Sequence, residues 1–257
     1  MIDTNVYLSR WPFRRLPGDD TAALVKKLHE KGVTQAWVGS FDALLHRDIS
    51  GVNERLAAEC RRESMVQLVT FGAINPLSAD WEEDLRRCAA IHEMPGVRLH
   101  PNYHAYELDH PAFAELLAAA EQLKLVVQVA LRMEDPRTQH PLVAVADVNP
   151  TPLVKLLGAR PTLRVQLLNA MTVLRPDLLD RLVAAGNVSI EVAMLEGVNG
   201  LQKTLNHTPL ERVLFGSYFP FFAWEAAQLK LQESPLAEMQ REAIGERNAA
   251  ALLRARL

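Results

Sequence analysis

Short apolar or β-branched runs alternate with longer amphipathic stretches along the whole chain. The runs "IDTNVYL", "TQAWVGS", "MVQLVTFGAI", "GVRLH", "LVVQVALR", "LRVQLLN", "NVSIEVAM" and "RVLFGS" have the length and composition of strands. Between them lie helical patterns such as "TAALVKKLHEKG", which starts on Thr21 and stops at Gly32, and "HPAFAELLAAAEQL", with Pro111 in its first turn. The stretch "LAEMQREAIGERNAAALLRARL" reads as a closing helix. Strand followed by helix, repeated to the end, predicts parallel strands joined by helical crossovers. About eight such units of roughly 30 residues predict an α/β fold of the (β/α)8 TIM-barrel type. A doubly wound sheet is the competing arrangement. No low-complexity segment or Pro/Gly-rich linker divides the chain, so residues 1–257 are expected to form one domain.

Successive residues of a strand point to opposite faces, so the runs also predict what lines the barrel axis. In "IDTNVYL", Ile2, Thr4, Val6 and Leu8 are expected to face the helices, and Asp3, Asn5 and Tyr7 the axis. By the same alternation, Arg98 and His100 oppose Val97 and Leu99, Gln128 and Arg132 oppose Val127, Val129 and Leu131, and Glu191 opposes Ile190 and Val192. Several strands thus supply polar side chains to one mouth, the end where barrels of this kind carry their chemistry.

Composition narrows the partners. With 28 basic and 31 acidic residues well mixed, the formal charge is −3, so no long-range field points to nucleic acid or an anionic membrane. No apolar run approaches the length of a membrane span. Strand-like sequence from Ile2 leads us to expect no signal peptide, and Cys60 and Cys88, without metal-type spacing, read as thiols of a reducing compartment; a cytoplasmic location is expected.

Three segments carry a resemblance: "IDTNVYLSRWPFR" at the first strand, "MPGVRLHPNYHAYELDHPAF" at the fourth, and "RVLFGSYFPF" followed by "ERNAAALL" at the end. They resemble the amidohydrolase superfamily, in particular its amidohydrolase-2 branch of small-barrel hydrolases and decarboxylases, over nearly the whole chain. The resemblance implies a metal centre with two histidines from the first strand, one each from the fifth and sixth, and an aspartate after the eighth. This sequence departs at every one of those stations. Asn5 and Tyr7 stand in the first strand, "VALRMED" lacks a histidine, "LLNAM" offers Asn169, and "FGSY" offers Tyr218. Asparagine is a weak neutral ligand and tyrosine must lose a proton with pKa of about 10, so neither suits a catalytic zinc. No catalytic metal and no other cofactor are expected. A rearranged ligand set from His100, His104, His140 and Glu191 is the exception kept open.

The remaining candidates divide by chemistry. His100 and Glu191 are expected to manage protons, and Tyr7 or Tyr218 to stabilise an oxyanion. Arg98 and Arg132, with Arg137 from the adjacent loop, form an expected clamp for a carboxylate. Asn5, Asn102, His104, Gln128 and Asn169 complete the expected substrate contacts. Gly216 and Ser217 offer loop amides of the kind that bind phosphate, and the aromatic run "YFPFFAW" an inner wall or a contact between copies of the chain. The function expected is metal-independent hydrolysis, lactonase-like, or isomerisation of a small carboxylated compound. The competing readings are a catalytically silent barrel that binds a ligand or partner, and a metal-dependent hydrolase or decarboxylase with rearranged ligands.

Overall fold

The computed structural model describes residues 1–254. Its elements follow the predicted alternation: β1 Ile2–Leu8, α1 Thr21–Glu30, β2 Gln35–Ser40, α2 Ile49–Cys60, β3 Gln67–Ala73, α3 Trp81–Ala90, β4 Gly96–Leu99, α4 Pro111–Gln122, β5 Val126–Ala130, α5 Leu153–Gly158, β6 Arg164–Leu168, α6 Pro176–Ala185, β7 Asn187–Glu191, α7 Gly200–Thr204, β8 Val213–Leu214, α8 Trp224–Glu233, α9 Glu238–Glu242 and α10 Asn248–Arg254. The strands pair in parallel in the order β1 to β8. The segment after β8 closes the ring on β1, with a parallel bridge between Val6 and Phe219 and bonds from Tyr218 N to Asn5 O (2.8 Å) and Tyr7 N to Phe219 O (3.0 Å). This is the (β/α)8 barrel, and the doubly wound alternative is excluded. The predicted closing helix is broken into α9, a π turn over Ala243–Arg247, and α10; its last three residues, 255–257, lie outside the described residues.

The barrel interior is layered. At the N-terminal end, Ile2, Trp37, Phe71, Val126 and Leu214 pack against Ala249 and Leu252 of α10, which stops that mouth. The middle layer is polar but internally bonded: Gln166 donates to Thr4 Oγ1 (2.8 Å), and Gln128 donates to Gln166 Oε1 (2.8 Å) and Thr4 O (3.0 Å). The outward residues of the strands, among them Val97, Val127, Val165 and Ile190, join helix residues such as Leu28, Leu116 and Leu182 in the main apolar core, as the alternation predicts.

One strand departs from the prediction. Asp3 pairs with Ala36 but Val6 with Val38, so β1 spends one more residue than β2 over the same span. This extra residue reverses the alternation. Ile2 and Thr4, expected outside, therefore face the axis, and Asp3, expected inside, turns to α8, where its Oδ2 accepts from Trp224 Nε1 (3.0 Å). Beyond the irregularity Val6 and Leu8 join the outer core while Asn5 and Tyr7 point inward, as expected.

Candidate active site

At the C-terminal mouth, Asn5, Asn169 and Glu191 are brought together from β1, the end of β6 and β7. Asn5 Nδ2 donates to Asn169 Oδ1 (2.9 Å) and Glu191 Oε1 (3.1 Å). Glu191 Oε1 also accepts from Asn169 N (2.6 Å), and its Oε2 accepts from Ala193 N. A carboxylate has about four acceptor positions, so one is left on Oε2. Burial pushes the Glu191 carboxyl up to about 7, against the opposing pull of the Ala193 and Asn169 amides, Lys230 and Asn5. Asn169 and Tyr218 both adopt left-handed backbone, with φ of 53° and 59°. Asparagine tolerates this region better than most residues, whereas a tyrosine there is uncommon. Gly216 admits the close approach of this group, since a Cβ there would lie 3.0 Å from both Asn5 Cβ and Glu191 Cβ. The Gly216–Ser217 amides are not a free phosphate cradle as expected: Ser217 N donates to Asp3 Oδ1 (3.0 Å). Burial likewise raises Asp3 to about 6, against hydrogen bonds from Ser217, Asn5 and Trp224.

Beside this network, Tyr7 Oη lies 2.9 Å from His100 Nε2. Burial raises the Tyr7 hydroxyl to about 12, and burial, with the positive charges of His104 and Arg98, holds His100 well below 6.5. Both groups are therefore neutral at pH 7. Where the phenol donates to Nε2, the imidazole proton sits on Nδ1; where it turns to Met133 Sδ at 3.6 Å, Nε2 carries the proton, and in both arrangements the buried Nδ1 has no hydrogen-bond partner. Asn5 Oδ1 and Trp11 Nε1 are likewise buried without partners. His104 stands with its ring centroid 6.0 Å from that of His100; its Nε2 bonds the Ala43 carbonyl at 2.8 Å, fixing the loop after β4.

The expected arginine clamp does not form. Arg98 is fully buried, but its Nε, Nη1 and Nη2 donate to Gln128 Oε1 (2.7 Å), Val6 O (2.7 Å) and Trp37 O (3.0 Å), and it lies over the Tyr7 ring at 4.4 Å. It ties four strands together from beneath the mouth. Arg132 leaves the axis for a bidentate pair with Asp147, from Nε to Oδ1 at 2.7 Å and from Nη2 to Oδ2. Arg137, 87% exposed, pairs with Asp135 two residues away. Asn102 donates to Ala146 O (2.9 Å), and Gln128 is spent in the middle layer. In each case a neighbouring acceptor, invisible in strand alternation, claims the donor.

The mouth is roofed by aromatic side chains. Tyr7 stacks on Phe41 at 4.7 Å, Tyr218 on Phe221 at 4.9 Å, and Trp11 meets the edges of Phe41 and Phe221. Tyr218 is not free to meet an oxyanion, since its hydroxyl donates to Met133 O (2.5 Å). Phe221 and Phe222 close the wall anticipated from "YFPFFAW". Arg14 lies over Phe221 at 5.0 Å and pairs with Glu134, which is only 2% exposed. Its place in the loop after β1 makes Arg14, like Arg10, a candidate for the rim of the mouth on sequence alone, but its pairing with Glu134 is not legible there.

The donor set does not suit a divalent metal. Among the described residues no three His, Cys, Asp or Glu side chains converge, and the Asn5 amide presents N–H groups, not a lone pair, to Asn169 and Glu191. His140, a member of the rearranged set, instead stacks on Phe13 at 4.9 Å and caps the 3-10 turn Pro141–Val143.

The sequence profile of the family described as amidohydrolase (Amidohydro_2) matches residues 11–255. No curated protein sequence matches significantly. Among solved structures, 2,6-dihydroxybenzoate decarboxylase from Rhizobium is 17% identical, with 98% of each chain covered and a TM-score of 0.72. Dihydroxybenzoic acid decarboxylase from Polaromonas sp. JS666, with bound manganese and the inhibitor 2-nitroresorcinol, is 15% identical, with 100% of this chain and 97% of that one covered and a TM-score of 0.75. An uncharacterised TIM-barrel protein from Bordetella bronchiseptica is 16% identical, with 100% and 99% covered and a TM-score of 0.76. At these identities the likeness is one of fold. Among the described residues no helix is long and apolar enough to cross a membrane.

Proposed function

The chain belongs to the amidohydrolase family, and from that premise we propose that it is an enzyme that opens or isomerises a small cyclic carbonyl compound, of lactone type, by proton transfer at the barrel mouth without a metal Lewis acid. The observation that carries the reading is the buried Nδ1 of His100, on a neutral ring and without a partner, to which we assign the ring proton, with Tyr7 donating to Nε2. A neutral imidazole N–H within reach of a substrate carbonyl, away from water, polarises it and stabilises the oxyanion that develops on it. Leaving such a donor unpaired costs about 1–3 kcal/mol, which a ligand acceptor would recover. Glu191, titrating at about 7 with one acceptor position left, is the group suited to take and return a proton near neutrality. Tyr7 holds His100 in the required tautomer.

The expectation of an anionic substrate loses its support, because Arg98, Arg132 and Arg137 are already committed. A ligand carboxylate would have to compete with Glu134 for Arg14. The rings of Tyr7, Phe41, Trp11 and Tyr218 suit a flat, weakly polar compound, and the aromatic acids handled by the neighbouring structures have that shape. A cytoplasmic setting belongs to the same reading.

A second reading, metal-dependent decarboxylation or hydrolysis, is favoured by the manganese in the Polaromonas neighbour. One experiment separates them. Chelator-treated protein is incubated with a panel of neutral and aromatic lactones followed by proton NMR, beside the His100→Asn variant and beside protein given manganese with dihydroxybenzoates. The proposal expects turnover without metal and a loss of about two to four orders of magnitude in His100→Asn. Turnover only with manganese establishes the second reading, and none in either arm makes this a silent barrel.

A further inference from the structure

A lysine on the outer helix layer reaches the mouth without having been singled out by the sequence. Lys230, on α8, donates from Nζ to the carbonyls of Val192 (3.2 Å) and Ala193. Those residues follow β7 directly, and the N–H of the same Ala193 donates to Glu191 Oε2. The Val192–Ala193 peptide unit is thus held at both ends, its carbonyl by the ammonium and its N–H by the carboxylate, and the carbonyl of the next unit is held by the same ammonium. Six residues earlier on α8, Trp224 Nε1 donates to Asp3 Oδ2 (3.0 Å), and Asp3 Oδ1 accepts from Asn5 N (3.2 Å), the residue whose amide holds the other oxygen of Glu191. One helix therefore anchors the Glu191 carboxyl from two sides.

Resting on the proposed role of Glu191, we infer that Lys230 is a positioning residue: it clamps the turn after β7 so that Ala193 N–H holds Glu191 Oε2 in place, and it supplies the positive charge behind that carboxyl. The charged and titratable neighbours are few. Glu191 and Glu196 bear on Lys230, and the Tyr7 phenol lies within the field of Glu191. A bare surface lysine would be free to point to water; this one is half-buried, and its burial is compensated by two carbonyls and the carboxylate beyond them.

The test uses the full chain labelled with 13C at glutamate carboxyls, with the Glu191 resonance assigned by its loss in Glu191→Gln. Lys230→Met removes charge and donor, Lys230→Gln keeps a donor without charge, and Lys230→Arg keeps both. The inference expects the Glu191 titration midpoint to move upward in Lys230→Met, less so in Lys230→Gln, and to return toward the wild-type value in Lys230→Arg. Any pH profile of turnover should move with it. A midpoint unchanged in both neutral variants, with only thermal stability lowered, would overturn the inference and leave Lys230 as a packing residue. If Lys230→Met does not fold, Lys230→Gln and Lys230→Arg decide alone. Because the midpoint is read without substrate, it stands even if no turnover is found, so failure of the positioning role and failure of the proposed reaction are told apart.

Discussion

Glu191→Gln should change the pH dependence of stability by an amount the structure allows one to work out. In the folded protein Glu191 titrates at about 7, against 4.5 for an unperturbed carboxyl. Below 4.5 both folded and unfolded chains carry the proton. Between 4.5 and about 7 the unfolded chain releases it while the folded chain keeps it, so the folded state binds more protons and stability falls as pH rises. Above about 7 the loss is complete. At 1.36 kcal/mol per pH unit, that gap corresponds to about 3 kcal/mol. Glutamine does not titrate, and it has its own fixed cost, because its amide must turn N–H groups toward one of the donors now served by Oε1 or Oε2. That cost is independent of pH. The stability difference between variant and wild type should therefore shift in favour of the variant by about 3 kcal/mol from pH 4.5 to pH 8. His100, His104 and Asp3 titrate in both proteins and drop out of the difference. Urea unfolding at half-unit intervals across this range measures it. Two parallel curves, offset but with no change of separation, would refute the argument that burial holds this carboxyl protonated.

Other consequences are direct. Arg98→Met should destabilise by about 3 kcal/mol or more, because it strips the carbonyls of Val6 and Trp37 and the amide of Gln128 of their donor; a loss under about 1 kcal/mol in urea unfolding would contradict this role. Gly39→Ala should cost about 1–3 kcal/mol by the same assay, since the new methyl would lie 2.8 Å from Arg98 Cδ in a layer with no slack; a variant as stable as the wild type would mean that Arg98 yields. Metal analysis of protein purified without chelator should find well under one equivalent of zinc or manganese, and chelator should leave the melting temperature unchanged. One tightly held ion per chain would show that the mouth rearranges around a metal.

The sequence by itself determined the repeating strand and helix order, the barrel, and which residues of β4, β5 and β7 look inward, because period-two alternation is a property of the extended backbone and needs no partner. The replaced stations at Asn5, Tyr7, Asn169 and Tyr218 were legible only through the resemblance to the amidohydrolase superfamily, which supplies the ligand positions they are read against. Tertiary structure decided the rest. Whether β1 carries an extra residue depends on its register against β2, some thirty positions away in the chain, and that register alone sends Asp3 to Trp224 and Thr4 to Gln166. Arg98 and Arg132 look alike in the sequence, yet one meets carbonyls of β1 and β2 and the other Asp147 in a later loop. A donor's fate is set by the nearest unsatisfied acceptor, and here those acceptors come from segments that only the closed barrel brings together. The same closure places Lys230 behind Glu191, an arrangement no local pattern encodes.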